Sequence, residues 1–118
     1  MDSYRRLYEF VKTSQTTWIP ITCSSWLLYP DNREVYSPSS NLMGFLNDFV
    51  NIARSEPSGD NLFPDAWRVF YRHFTGDVSS LPTDTSLQRS CVRRLAQGKG
   101  IGGGTGILLF DGEKILNK

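Results

Sequence analysis

Several residue types on which catalysis and metal binding depend are scarce in this sequence of 118 residues, which has one histidine, His73, and two cysteines, Cys23 and Cys91. Two cysteines do not make a disulfide framework, and their spacing matches no metal site, so we expect reduced, packed thiols and no metal. A histidine base for either thiol would require His73 to converge with it across the fold, and no motif predicts this. The sequence therefore predicts a protein that is not an enzyme and that needs no cofactor.

Net charge and long apolar runs are also lacking. Thirteen Lys and Arg residues against twelve Asp and Glu residues leave a formal charge of +1, so no global field attracts nucleic acid or an acidic membrane. A membrane span needs about 18 consecutive apolar residues, and neither such a run nor a signal peptide is visible. We expect a cytoplasmic protein without membrane contact. Small chains of this sort are common in viruses and phages, and a viral protein would lie in the host cytoplasm.

The chain does have the composition of one globular domain over residues 1–118, with 39% hydrophobic and 21% charged residues. Four segments have helical spacing of apolar residues, although the aromatic and β-branched residues of the third also suit a strand. These segments run over 3–14, from Ser39 or Ser40 to Ala53, from Pro64 to Phe74 with Gly76 as the stop, and from Thr83 or Thr85 to Gly98.

Two further segments have the pattern of β-hairpins. WLLY-PDNR-EVYS, residues 26–37, and ILLF-DG-EKIL, residues 107–116, each place turn residues between short apolar runs. EPSGDN, residues 56–61, is typical of a surface loop. The sequence predicts an α+β fold with three or four short helices and a small antiparallel sheet built from the two hairpins.

A glycine-rich stretch, GKGIGGGTG, occupies residues 98–106. Its glycines favour a flexible loop before the C-terminal hairpin or a strand edge where backbones approach closely. GGGTG, residues 102–106, resembles the pentapeptide that cradles nucleotide phosphates in tubulin and the bacterial cell-division GTPases, and this resemblance implies phosphate binding. A P-loop, however, has its lysine after the glycines and leads into a helix, whereas Lys99 precedes them. Nucleotide-phosphate binding is therefore a remote alternative.

Aromatic residues are numerous for a small core, with seven Phe, five Tyr and three Trp. Trp18, Trp26, Tyr29 and Tyr36 cluster around the first predicted hairpin, where they belong either to the core or to a protein-binding surface. We take the second interpretation, because hairpin edges also invite strand addition by another chain. The sequence thus predicts a non-enzymatic interaction module that binds another protein or itself, as a homo-oligomer.

A cluster of basic residues supports a different function. Arg89, Arg93, Arg94 and Lys99 lie near the end of the fourth predicted helix and form a candidate polyanion-binding patch, with RNA as the alternative partner. FPDAWRVFYR, residues 63–72, resembles a segment of the coat proteins of rod-shaped plant viruses such as tobamoviruses. This resemblance implies a helical subunit that polymerises around RNA, with Arg72, Arg93 and Arg94 as assembly or RNA-binding residues.

Overall fold

The computed structural model describes residues 2–57 and 61–117. In these ranges the chain forms four α-helices and a three-stranded antiparallel sheet, which confirms the predicted α+β fold class but not a sheet made of two hairpins. The elements are α1 (Asp2–Val11), β1 (Ile19–Ser25), α2 (Asn41–Asp48), β2 (Val50–Ser55), α3 (Trp67–Phe70), α4 (Ser86–Ala96) and β3 (Gly103–Phe110), with short 3-10 helices at Trp26–Leu28, Pro30–Glu34 and Val78–Ser80.

The last strand, β3, lies at the centre of the sheet between β1 and β2. Ile19 of β1 pairs with Phe110, and Val50 of β2 pairs with Ile107. Alternate residues of β3 are buried, and Leu108 and Phe110 are fully enclosed. This alternation is that of a strand with one face on the core. Every residue of β2, in contrast, is exposed.

The predicted hairpin at residues 26–37 is wrong, because this segment coils into two 3-10 helices. The Ser25 side chain accepts a hydrogen bond from the Leu27 amide and so starts the first of them. Asn32 is completely buried, and its amide group donates to the carbonyl oxygen of Trp26 at 2.8 Å and to the hydroxyl of Tyr36 at 3.1 Å. This buried side chain satisfies the Trp26 carbonyl oxygen, a backbone group that a hairpin would pair with a second strand.

The predicted C-terminal hairpin forms only in part, since its first half belongs to β3 while its second half pairs back through a single antiparallel bridge. After β3 the chain turns at Asp111 and Gly112, and one isolated bridge joins Phe110 to Ile115. The Asp111 side chain accepts from the amides of Glu113 and Lys114, which closes the turn. The glycine-rich stretch, predicted as a loop at 98–106, enters β3 at Gly103.

The predicted helices are present but shorter than their patterns indicated. Ser40 caps α2 by accepting from the Met43 amide, as predicted, but the helix ends at Asp48 because Val50 and its successors pair with β3. The third helix is the single turn α3, which ends at Tyr71 in the left-handed conformation, with a φ of 61°, rather than at Gly76. Residues 58–60 of the predicted loop 56–61 lie outside the described residues.

Aromatic rings connect these elements into one core. Trp26 packs against Phe63 with a centroid distance of 5.7 Å, and Phe63 against Phe70 at 6.2 Å. At the other end, the ring of Tyr8 on α1 meets Phe110 edge to face at 6.2 Å. Trp26, near the first predicted hairpin, therefore helps to fill the interior.

Helix α4 begins with a complete capping box at Thr85. Its side chain accepts from the Gln88 amide at 3.1 Å, while Gln88 Oε1 accepts from the Thr85 amide, also at 3.1 Å. We expect Thr85→Ala to lower the free energy of unfolding by about 1 kcal/mol, because it leaves a helix amide without an acceptor. Urea denaturation measures this loss. Thr83→Ala is the control, since Thr83 lies outside the box, and an equal effect of both substitutions would argue against the capping role.

Candidate functional site

The four aromatic residues predicted to bind another protein do not share a surface. Tyr29 and Tyr36 are 2% and 5% exposed, and Trp26 is buried as well, whereas Trp18 alone is half exposed. Their predicted exposure is wrong for three of the four because residues 26–36 coil inward around Asn32. Binding of this chain to another protein or to itself stays a prediction.

The predicted basic patch divides into residues with different surroundings. Arg89 donates to the carbonyl oxygens of Thr83 and Asp84, at 3.1 and 3.2 Å. Arg94, only 8% exposed, lies under the loop that leads to β3 and is fully engaged. Arg93 and Lys99 are exposed and make no ion pair within the described part of the chain.

Arg94 is the buried centre of a polar network whose carboxylates reach the surface. Its Nη1 donates to Glu34 Oε2 at 2.8 Å, its Nη2 to Asp31 Oδ2 at 3.1 Å, and its Nε to the Gly100 carbonyl oxygen at 2.8 Å. One guanidinium group thus joins α4 to the second 3-10 helix and to the glycine-rich stretch. The planar guanidinium group has several N–H donors and can therefore bind several acceptors at once.

Arg54, at the end of β2, extends this network. It donates to Asp31 at 3.1 Å and to Glu56 at 2.5 Å, and Glu56 also accepts from the hydroxyl of Tyr29 at 2.5 Å. Hydrogen bonding from Arg54, with the charge of Arg94, lowers the pKa of Asp31. The hydrogen bond from Tyr29, followed by that from Arg54, lowers the pKa of Glu56. Asp31 and Glu56 are therefore ionised, and their hydrogen bonds hold the side chains of Arg54, Arg94 and Tyr29 in position.

The glycines of residues 102–106 do not form a phosphate cradle. They belong to the extended backbone that enters and forms β3, and a strand rather than a helix follows. A Cβ atom on Gly102 would collide with the Ser55 carbonyl oxygen, and one on Gly104 with that of Leu28. The absence of side chains therefore permits close packing of backbones, as the sequence indicated, although β3 is the central strand of the sheet and not an edge.

Three hollows adjoin one another along the segment from Glu34 to Asp48. The first, of about 280 Å³, contains Arg93 and Lys99; the second, of about 380 Å³, has several serine hydroxyl groups; the third, of about 410 Å³, contains Tyr4 and Asp48. Arg93 lines the first two, and Ser40 lines the last two. Sequence reasoning missed this arrangement, because it joins α1, α2 and α4, which are far apart along the chain.

In the third hollow the Tyr4 hydroxyl donates to Asp48 Oδ2 at 3.1 Å. Burial, followed by the charge of Asp48, raises the pKa of Tyr4, so that its phenol stays protonated. A carboxylate that is held by a protonated phenol can take up a proton from a bound group. Among the residues that the structure describes, no group of His, Cys, Asp and Glu side chains could hold a metal ion.

The two cysteines are free thiols in different environments. Cys91 is fully enclosed, and burial raises its pKa to about 12, whereas Cys23 is half-buried on β1. The thiolate is the reactive form, and at pH 8 Cys91 remains a thiol. We expect a thiol reagent to modify Cys23 in the folded protein and Cys91 only after unfolding. Mass spectrometry of the labelled peptides checks this order, and early labelling of Cys91 would contradict its burial.

A model of one protein family, the GNAT-like C-terminal domain, matches residues 1–108. The chain belongs to the GNAT-like C-terminal domain family. None of the curated proteins is similar enough to match. Among solved structures, an acyltransferase in complex with CoA and 10C-teicoplanin is 25% identical, with a TM-score of 0.59 over 75% of this chain. An acyltransferase in complex with decanoyl-CoA has a TM-score of 0.66 over 90% of this chain at 21% identity, which shows the fold alone.

This GNAT-like chain spans about a third or less of the length of those solved acyltransferases, 28% of the first and 33% of the second. The comparisons overturn the predicted non-enzymatic interaction module and its alternatives of an RNA-binding, coat-like or nucleotide-phosphate-binding protein. They also contradict the prediction that the protein is not an enzyme.

No helix in residues 2–57 and 61–117 is long and apolar enough to span a membrane.

Proposed function

We propose that this GNAT-like chain acts in an acyltransferase that takes its acyl group from acyl-CoA. The observation that carries the proposal is the family match over residues 1–108, together with the likeness to an acyltransferase crystallised with CoA. The adjoining hollows along residues 34–48 support it, because each has about the size of a small-molecule site.

The proposed reaction exchanges one bond at the acyl carbon. An amine or hydroxyl group of the acceptor attacks the thioester carbonyl, a C–N or C–O bond forms, and the C–S bond breaks. The acceptor loses a proton, and CoA leaves as a thiolate that takes up a proton. The chemistry therefore needs one group that accepts a proton and one that donates it.

We propose Asp48, positioned by Tyr4, as the group that accepts the proton. Both residues face the third hollow, they are in hydrogen-bond contact at 3.1 Å, and the raised pKa of Tyr4 keeps the phenol protonated beside the carboxyl group. Asp48 is then the group that accepts the proton of the acceptor, Tyr4 holds the carboxylate in place, and the CoA thiolate takes up its proton from water.

Calorimetric titration of the purified chain with decanoyl-CoA tests the proposed donor. Substrates of enzymes usually bind between about 1 µM and 1 mM, and we expect a dissociation constant in this range. Decanoate is the control, since it has the same acyl chain without the CoA portion, and should bind at least ten times more weakly. Absence of decanoyl-CoA binding up to about 1 mM would contradict the proposal.

Release of the CoA thiol tests the proton-transfer pair. With teicoplanin, the compound bound to one similar acyltransferase, as the first acceptor, we expect Asp48→Asn to slow thiol release about 100-fold at unchanged decanoyl-CoA affinity. Asp65→Asn is the matched control, since Asp65 pairs with Arg68 on the surface. If Asp48→Asn releases the CoA thiol as fast as the wild-type protein, Asp48 takes no part in the reaction.

A further inference from the structure

One face of helix α2 forms a wall of the third hollow, and this face lacks a side chain at its centre. Asn41, Gly44, Phe45 and Asp48 all line the hollow, and their spacing of three and four residues places them on one side of the helix. The Cα–Cβ bonds of a helix tilt toward its N-terminus, so that Asp48 projects over the turn that contains Gly44. Bare backbone at Gly44 therefore bounds the space beside the carboxyl group that Tyr4 contacts at 3.1 Å.

Neither the backbone geometry nor the packing requires a glycine at position 44. Gly44 lies within the regular helix α2, whereas the φ angles of Gly76 and Gly98 are positive. Apart from its chain neighbours and the backbone of α2, a Cβ at Gly44 would meet no atom of the described residues within 4 Å. A glycine in the interior of a helix costs about 0.5–1 kcal/mol relative to alanine, and positions that break such a local rule are often functional. The feature that Gly44 does provide is open space in the hollow, beside Asp48.

The other residues of the third hollow offer hydrogen bonds around this space. Ser3, Tyr4 and Ser40 contribute hydroxyl groups. The ring of Phe45 adds an apolar surface and packs edge to face against Phe49, with a centroid distance of 5.1 Å. The volume of about 410 Å³ lies within the range for small-molecule sites. A ligand that fills this hollow is therefore a bulky polar molecule rather than a short, unbranched one.

We propose that Gly44 is a specificity-determining residue for the acceptor, because its missing side chain lets a bulky polar molecule bring its amine or hydroxyl group to Asp48. This inference rests on the proposed function and adds the size of the acceptor to it. A side chain at position 44 would project from α2 into the hollow, one turn from Asp48 and on the same face. It would occupy the space that the groups next to the reacting amine or hydroxyl group need.

Filling the space at Gly44 tests the inference. Teicoplanin, the first acceptor in the thiol-release assay, is the bulky probe, and calorimetric titration measures its binding without any reaction. We expect Gly44→Leu to weaken teicoplanin binding at least about ten-fold, and Gly44→Ala to weaken it less, because the loss follows the size of the added side chain. Asn47→Leu is the matched control, since Asn47 is exposed on α2 outside the hollow, and it should change the dissociation constant less than about two-fold.

Urea denaturation shows whether a loss of binding results from unfolding. Leucine favours the interior of a helix over glycine, so that Gly44→Leu should be at least as stable as the wild-type protein. A variant that is equally stable and binds teicoplanin more weakly has lost space in the hollow and not structure. A marked loss of stability in Gly44→Leu would contradict the open space in front of Gly44.

Thiol release from decanoyl-CoA separates this inference from the proposed function. If Gly44→Leu binds teicoplanin and releases the CoA thiol like the wild-type protein, Gly44 does not determine specificity, while the proposed function stands. If Gly44→Leu weakens the binding of decanoyl-CoA but not of teicoplanin, the hollow holds the donor and the inference is wrong. If teicoplanin binds in a Gly44-dependent manner but no thiol is released, the site for a bulky polar ligand is supported and the proposed function is wrong. If the wild-type protein neither binds teicoplanin nor releases the thiol, both proposals are overturned.

Discussion

Replacing Arg94 by alanine is expected to lower the free energy of unfolding by about 2 kcal/mol, because it removes a buried guanidinium group and its three hydrogen bonds. The loss stays below the range for a fully buried ion pair, since the side chains of Asp31 and Glu34 are 40% and 67% exposed and remain hydrated without Arg94. The substitution also leaves the Gly100 carbonyl oxygen without its donor. Helix α4, the second 3-10 helix and the glycine-rich stretch thus lose the side chain that joins them. Urea denaturation measures the resulting loss of stability.

Arg93→Ala is the control for this experiment, because the neighbouring arginine is exposed and forms no ion pair within residues 2–57 and 61–117. We expect its effect on stability to stay within about 0.5 kcal/mol. Arg94→Lys should be intermediate, since an ammonium group cannot reach the three acceptors with a planar fork. Equal stability of Arg94→Ala and Arg93→Ala would show that the network does not stabilise the fold.

The contribution of this network should also depend on pH. The pKa of Asp31 is lowered in the folded protein, mainly by its hydrogen bond from Arg54. A lowered pKa contributes stability above the pKa of the unfolded state, about 3.9, and this contribution is lost as the pH falls through the folded value. The difference in the free energy of unfolding between the wild-type protein and Arg94→Ala should therefore become smaller below about pH 4.

Gly104→Ala is expected to be at least as damaging, with a loss of about 3 kcal/mol or more. The added Cβ would collide with the carbonyl oxygen of Leu28, a backbone atom at the start of the coiled segment. Leu28 and Tyr29 are 1% and 2% exposed, so this segment cannot move without disturbing the core. Thermal and urea unfolding of the variant measure the loss.

Gly44→Ala is the matched control, because a Cβ at Gly44 would meet nothing within 4 Å. Gly44 lies in the interior of α2, where alanine favours the helix by about 0.5–1 kcal/mol. We therefore expect opposite signs for the same chemical change at the two glycines. A Gly104→Ala protein as stable as the original chain would contradict the close approach of β3 to Leu28.

The features that the sequence predicted correctly depend on neighbouring residues. The capped start of α4 at Thr85 and the cap of α2 at Ser40 are local, since each side chain binds an amide three residues away. Gly98 lies just beyond α4 with a φ of 77°, a conformation that glycine adopts readily. Such signals can be read without knowing the rest of the fold.

The errors arise where distant residues decide the local structure. The helical pattern of α2 continues past Asp48, but pairing of Val50 with Ile107 prevails over it. Similarly, the turn residues around Asn32 form a 3-10 helix because that side chain is buried against Trp26 and Tyr36. A short apolar run is compatible with a helix or a strand, and tertiary contacts determine which of the two forms.

The division of the basic patch could have been found from the helical spacing. Arg94 lies three residues after Cys91, which is completely buried, and so shares its inward face of α4. Arg93 lies on the outer face. The adjoining hollows, in contrast, need α1, α2 and α4 in their final positions, and no spacing along the chain predicts their meeting.

The central position of β3 has a consequence for the order in which this protein folds. Each outer strand pairs with β3, and Ile19 must find Phe110 about ninety residues later. Contacts so distant in sequence close large loops before they gain stability, which slows folding. During synthesis β1 and β2 emerge long before their partner, with unpaired edges that can associate with other chains. The sheet of this protein can therefore assemble only after Gly103–Phe110 has left the ribosome.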